Sequence, residues 1–235
     1  THPVSSPHHR PIEEIMVAMT SPWTLLIAAA AAAATTTIWW QLAVRRLPEP
    51  EDPKEPKRLY RELSGPTHTA AVAATSAASA ALIVWTAPPA TWAIWAVLAT
   101  AGALVAGIDA FTTWMPRRAA WSSWALLTAA IAITVAWSPT TALAATAGAI
   151  GSGALFLILW LIMRGTFGFG DVRFMPLIGA ATAATSLTCL QIALIGGALL
   201  VVIYAIVDRT IHHTIRFLPW GPAYYLAAVS CLAWA

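Results

Sequence analysis

The chain has 235 residues, of which 59% are hydrophobic and only 10% are charged, with a formal net charge of +3. Its mean hydropathy is +0.70, whereas a soluble domain carries about 25% charged residues, so the composition excludes an ordinary soluble protein. Long alanine-rich apolar runs favour helices over a β-barrel, whose strands would alternate apolar and polar residues over about ten positions. The sequence therefore predicts an all-α, polytopic helical membrane protein.

The order of polar and apolar stretches divides the chain into three predicted parts. Residues 1–21 are polar and are predicted to form a tail outside the bilayer. Residues 22–66 contain the first membrane span and a charged, proline-rich loop. Residues 67–235 hold all the remaining apolar runs and are predicted to be embedded in the membrane.

Apolar runs predict about eight transmembrane helices, because about 20 residues of helix cross the roughly 30 Å apolar core of a bilayer. The predicted spans are residues 23–44, 69–86, 90–108, 119–137, 140–163, 174 to about 185, about 188 to 207, and 219–235. The run 174–207 is too long for one span and short for two, and we divide it near residues 185–188. Small residues at Gly148, Gly151 and Gly153 predict close helix packing in the fifth span.

Basic residues orient these spans. The four loops 45–67, 109–118, 164–173 and 208–216 contain twelve of the thirteen Lys and Arg residues and fall on one side of the predicted bilayer. The positive-inside rule makes that side cytoplasmic. A wrong number of spans would have scattered these charges over both faces, so the charge distribution supports the predicted topology.

Two acidic residues are not explained by a solvated tail or loop. Eight of the ten Asp and Glu residues lie in such segments, but Asp109 ends the third span and Asp171 precedes the sixth. Two spans lie between them, so the chain crosses the bilayer twice and both carboxyls are predicted to lie at the cytoplasmic border. An acid at such a position is functional by default.

Three interpretations of the two carboxyls remain open at this point. When two carboxyls are close, repulsion keeps one of them protonated, so the pair can act as acid and base on an attacking water. Carboxyls at a membrane border also serve proton-coupled transport. Finally, an aspartate at a helix end can simply cap the helix.

The two cysteines, Cys189 and Cys231, lie inside apolar runs. They match no metal-ligand spacing and support no disulfide framework. The sequence therefore predicts no metal site.

Three motifs resemble those of the type IV prepilin peptidases, the GxGD aspartic proteases of the inner membrane. The hexapeptide GFGDVR at residues 168–173 is similar to the GxGDVK signature of that family. Gly107-Ile108-Asp109 followed by Met115-Pro116 resembles the motif of the first aspartate. The pentapeptide LPWGP at residues 218–222 is similar to the Pro-Phe-Gly-Pro element near the family's C-terminus.

The resemblance implies a catalytic function. Asp109 and Asp171 would be a catalytic dyad that cleaves the basic leader from a prepilin or pseudopilin, next to a Gly and at the cytoplasmic face. Gly168 and Gly170 would leave room for a substrate strand, and Arg173, in place of the usual Lys, would contribute to substrate binding.

The same resemblance places the enzyme and its partners. Residues 67–235 would be the catalytic domain of a multi-pass protein of the inner or plasma membrane, with the substrate and the lipid bilayer as partners and no nucleic acid. Many family members carry two Cys-x-x-Cys pairs that bind zinc in the first cytoplasmic loop, but residues 45–67 contain no Cys. We therefore expect no cofactor, and the missing cysteines argue against an accompanying N-methyltransferase activity.

The rival interpretations belong to other functional classes. One is a small proton-coupled membrane transporter, which would use the border carboxyls to carry protons. The other is a catalytically silent assembly protein of a pilus or secretion system.

Overall fold

The computed structural model describes residues 21–48, 59–163, 168–212 and 218–234, and these ranges contain helices and no strands. The eight helices are α1 (Pro22–Arg46), α2 (Pro66–Thr86), α3 (Pro89–Thr112), α4 (Arg117–Trp137), α5 (Pro139–Ile162), α6 (Phe169–Thr185), α7 (Leu187–His212) and α8 (Trp220–Cys231). A short 3-10 turn, Tyr60–Ser64, precedes α2. The prediction of an all-α membrane protein is confirmed.

Six of the eight helices, α1 to α5 and α7, are long and apolar enough to cross a membrane. Helix α6 has 17 residues and α8 has 12, which correspond to rises of about 25 Å and 18 Å. Both fall short of the roughly 30 Å apolar core. The predicted last span, residues 219–235, was too long, because α8 ends at Cys231.

The break between α6 and α7 lies at Ser186, where the backbone is extended. Its side chain accepts a hydrogen bond from the N–H of Cys189 at 3.0 Å and so caps the start of α7. This confirms the predicted division near residues 185–188. The predicted N-terminal tail up to residue 20, and residues 49–58 of the charged loop, lie outside the described residues.

Helix α3 is the centre of the bundle. In its most apolar stretch 67% of the residues are buried, against 17% to 28% in the other five helices that can cross a membrane. A helix that is apolar on all sides is suited to that position. It contains a wider π-helical turn at Leu98–Gly102 and ends shortly after Asp109. The central helix therefore brings one of the two candidate carboxyls to the middle of the protein.

Hydrogen bonds between buried hydroxyl groups join α2 to its neighbours. Thr36 of α1 lies 2.8 Å from Ser76 of α2. Tyr225 of α8 donates its hydroxyl to Ser79 of α2 at 2.8 Å. Buried hydroxyls in a membrane protein need such partners, because lipid offers none.

Small residues allow α5 and α6 to pack closely. The backbone of Gly148 lies directly against the carbonyl oxygen of Gly179, and a Cβ added to Gly153 would lie 3.0 Å from Pro176. Around Gly151 there is no atom within 4 Å of the position of a Cβ. The predicted packing role is therefore confirmed for Gly148 and Gly153 and is wrong for Gly151, where no neighbouring helix lies within contact distance of the backbone.

Substituting Gly148 by Val is expected to separate α5 from α6 and to lower the apparent Tm of the purified protein by about 5 °C or more. The added side chain would overlap the Gly179 carbonyl. The matched control is Gly151→Val, which changes helix propensity in the same way but meets no neighbour. Equal losses in the two variants, measured by thermal unfolding in one detergent, would contradict the close contact.

The two cysteines are joined by a disulfide that links the start of α7 to the end of α8, with Cα atoms 5.0 Å apart. The expectation that they support no disulfide was therefore wrong. They are 42 residues apart, and only the antiparallel packing of α7 and α8 brings them together, so sequence spacing could not reveal the pair.

Candidate functional site

Asp109 lies in the last turn of α3 and is only 5% exposed. A carboxylate near a helix C-terminus interacts unfavourably with the helix dipole, so Asp109 does not stabilise α3. The carboxylate oxygen Oδ2 instead accepts a hydrogen bond from the N–H of Gly221 at 2.9 Å. Gly221 lies in the first turn of α8, where backbone N–H groups have no partner within the helix. Asp109 therefore caps a helix other than its own.

Asp171 lies in the first turn of α6 and is 9% exposed. The sequence predicts a loop at residues 168–173, but in the structure the helix already begins at Phe169, and only Gly168 has an extended backbone. The reason is local, since an acid in the first turn complements the positive end of the helix dipole. The N–H of Asp171 donates to the carbonyl of Gly168 at 3.2 Å.

The fold brings the two carboxyls together. The charge of Asp109 acts on Asp171, and both side chains are buried. Both lie in one region because α3 ends and α6 begins on the same side of the bundle, two helices apart in the chain. Two like charges that act on each other out of water repel, so such a pair favours keeping one of its carboxyls protonated.

Met115, in the connection between α3 and α4, packs between the starts of α6 and α8. A Cβ added to Gly170 would lie 2.7 Å from the Cβ of Met115, and one added to Gly221 would lie 2.6 Å from its Cε. Glycine at both positions thus gives Met115 room to approach the backbone of two helices. The resemblance implies that Gly170 leaves room for a substrate strand, which stays a prediction. In the structure Met115 packs against this glycine.

Gly168 differs from Gly170 in its surroundings. A Cβ added to Gly168 would lie 3.8 Å from Oδ2 of Asp171, which is an ordinary van der Waals distance. The position is therefore close to the carboxyl of Asp171 without being tightly packed. A role of Gly168 in substrate binding stays a prediction.

A strained turn follows Asp109. Thr113 has a positive φ of 55°, the only such non-glycine residue in the described ranges, and this conformation is unusual for a β-branched side chain. Its N–H donates to the Asp109 carbonyl at 2.7 Å. The Thr112 hydroxyl, which accepts from the N–H of Trp114 at 3.2 Å, braces the same turn. The turn redirects the chain so that Met115 can reach the site.

Arg173 packs along the start of α6. Its guanidinium lies 4.7 Å from the centre of the Phe169 ring, and its carbonyl accepts a hydrogen bond from the indole N–H of Trp124 at 2.8 Å. The Phe169 ring in turn contacts Trp160 edge to face, with centroids 5.0 Å apart. These contacts fix the N-terminal turn that carries Asp171. The predicted role of Arg173 in substrate binding remains a prediction.

Tyr224 is a residue of the site to which the sequence analysis gave no role. It is buried in α8 one turn after Gly221, and the charge of Asp171 acts on it. Its ring packs edge to face against Phe156, with centroids 5.2 Å apart, and stacks on Trp220. Tyr224 follows Gly221 by three residues, so the two lie on one face of α8. This spacing is the feature of the sequence that could have identified Tyr224 as a residue of the site.

Among the described residues no group of three or more His, Cys, Asp or Glu side chains could hold a metal ion. The groups that the fold does bring together are the carboxyls of Asp109 and Asp171, the Gly221 N–H and the ring of Tyr224. Comparison of the chain with protein-family models, with curated proteins and with solved structures found no match.

Proposed function

We propose that this membrane protein is an aspartic endopeptidase similar to the type IV prepilin peptidases, with Asp109 and Asp171 as its catalytic dyad. The observation that carries the proposal is the convergence of two buried carboxyls from different helices, near enough for the charge of Asp109 to act on Asp171. Burying such a pair costs folding free energy, and α6 could be capped without a second acid nearby. A use in acid and base catalysis accounts for that cost.

The proposed chemistry needs only the two carboxyls and one water. The ionised carboxylate takes a proton from the water as its oxygen attacks the peptide carbonyl carbon, and the protonated carboxyl donates its proton to the carbonyl oxygen. The tetrahedral intermediate then breaks down as the amide nitrogen receives a proton and leaves. The N-termini of α6 and α8 meet at the site, and their dipoles stabilise developing negative charge.

The proposed substrate is a prepilin or pseudopilin with a basic leader and an apolar helix. Its scissile bond, next to a Gly, would lie where that helix leaves the membrane. Asp109 at the end of α3 and Asp171 at the start of α6 suit such a border position, on the side where α1 ends in Arg45 and Arg46. We propose that this side is cytoplasmic and that the protein belongs to an inner or plasma membrane.

The direct test is co-expression of the chain with a prepilin in cells that lack a processing enzyme. We expect a shortened pilin whose new N-terminus, read by mass spectrometry, follows the leader Gly. The control is the Asp109→Asn/Asp171→Asn double variant at an equal membrane level, which should leave the leader intact. An intact leader with the folded wild-type chain would overturn the proposal, and pH-dependent uptake of a solute would then favour a transporter.

A structural role is the second candidate, and the hydrogen bond from Gly221 to Asp109 favours it. In that case Asp109 would serve only to cap α8, and the chain would be an assembly protein without catalysis. Cleavage of the leader by the wild-type chain, lost in the double variant, would exclude this candidate.

A further inference from the structure

A cavity of about 350 Å³ opens between α1, α3 and α4, and neither Asp109 nor Asp171 is among its described lining residues. We refer to it as the α1–α4 groove. Its walls include Leu42 of α1 and the buried residues Ala101 and Leu104 of α3. Arg46, the last residue of α1, and Arg118, in the first turn of α4, line it as well and are exposed. The groove thus combines an apolar floor with two cationic side chains at its rim.

Among the described residues that line the groove, none is acidic, so the two arginines at the rim have no acidic partner there. Two guanidinium groups that line one opening both attract an anion bound there. Phosphate is the anion that guanidinium groups bind best, through paired hydrogen bonds of matching geometry.

We propose that the α1–α4 groove binds an anionic phospholipid, with the phosphate between Arg46 and Arg118 and one acyl chain along Leu42 and Leu104. Both arginines lie at the basic ends of spanning helices, which is the depth of lipid headgroups. Basic pockets between membrane helices on the cytoplasmic side are suited to anionic headgroups. A peptide with a basic leader would be repelled by the same two arginines, so charge favours the lipid over the proposed substrate.

The test measures lipid retention by the purified chain with native mass spectrometry. Phosphatidylglycerol and phosphatidylcholine with identical acyl chains are offered in separate titrations. We expect about tenfold tighter retention of phosphatidylglycerol, and no displacement by millimolar inorganic phosphate, since phosphate lacks the acyl chain. Equal retention of the two lipids would overturn the proposal. Displacement of the lipid by phosphate alone would show that the groove binds phosphate and not a phospholipid.

Two pairs of variants locate the binding. Arg46→Gln/Arg118→Gln should lower phosphatidylglycerol retention to the level of phosphatidylcholine. Arg45→Gln/Arg117→Gln removes the same charge from exposed neighbours that do not line the groove, and it should leave retention unchanged. Equal losses in both pairs would indicate general attraction to the basic face and would refute a specific site.

A third variant tests the apolar part without changing any charge. Ser122 is an exposed residue of α4 that lines the groove, and Ser122→Phe should fill it and abolish retention while the apparent Tm stays near that of the wild type. Full retention in this variant would contradict the position of the acyl chain. Displacement of the lipid by a synthetic prepilin leader peptide would instead assign the groove to the substrate.

Discussion

Replacing Asp109 by Asn is expected to abolish cleavage of a prepilin leader while the helix bundle keeps its stability. The amide oxygen of Asn can still accept the hydrogen bond that Gly221 donates to Oδ2 at 2.9 Å. The start of α8 therefore remains capped, but an amide cannot take a proton from an attacking water. Acid and base catalysis contributes about 10²- to 10⁴-fold, so we expect the cleavage rate to fall by about a thousandfold.

The Ala variant separates the two roles of this side chain. Asp109→Ala removes the base and the cap together, so it should lose cleavage and also about 1 kcal/mol of stability. Asp171→Asn should match Asp109→Asn in activity, because each partner of a shared proton is required. The control is Asp208→Asn, the same change in the last turns of α7. Normal cleavage by Asp109→Asn, measured by mass spectrometry of the pilin, would leave only the capping role.

Most of the topology could be predicted from the sequence, because each membrane span is recognised from one continuous run of apolar residues. Hydropathy placed the helices, and the two spans between Asp109 and Asp171 put the end of α3 and the start of α6 on one side, which was sufficient to group the two carboxyls. The break at Ser186 was also predictable, since the apolar run exceeded one span. The start of α6 at Phe169 lies earlier than predicted. The two glycines favour a loop, but Asp171 in the first helical turn interacts favourably with the helix dipole and stabilises the helix start.

Contacts between distant segments could not be predicted. The hydrogen bond from Gly221 to Asp109 joins residues 112 positions apart, and the disulfide joins Cys189 to Cys231. No periodicity encodes such pairs, which depend on how the helices pack. The motif at residues 218–222 was recognised only as a resemblance, and its physical role as the partner of Asp109 became visible from the fold. The lengths of α6 and α8 likewise depend on packing rather than on hydropathy.

Replacing Gly170 by Ala is expected to reduce the cleavage rate by about a hundredfold. The new Cβ would lie 2.7 Å from the Cβ of Met115, an atom that is fixed to the backbone and cannot rotate away. The α3–α4 connection must therefore shift against α6, and with it Asp109 against Asp171. A misplacement of about 1 Å can cost about a hundredfold in rate. Gly151→Ala, whose new Cβ would have no atom within 4 Å, is the matched control in a helix and should stay close to the wild-type rate.

Gly170 and Gly221 lie against different atoms of Met115. A Cβ at Gly221 would meet the Cε of Met115 at 2.6 Å and Oδ2 of Asp109 at 3.0 Å. Met115→Ala removes Cε but keeps Cβ, so it should restore more stability and activity to Gly221→Ala than to Gly170→Ala, whose closest contact is the Cβ itself. Alanine gains up to about 1 kcal/mol of helix propensity over glycine, so any net loss of stability in either single variant reports the clash. Double-mutant cycles on the apparent Tm and the cleavage rate measure the coupling. Equal rescue of both variants would contradict the position of Met115 between α6 and α8.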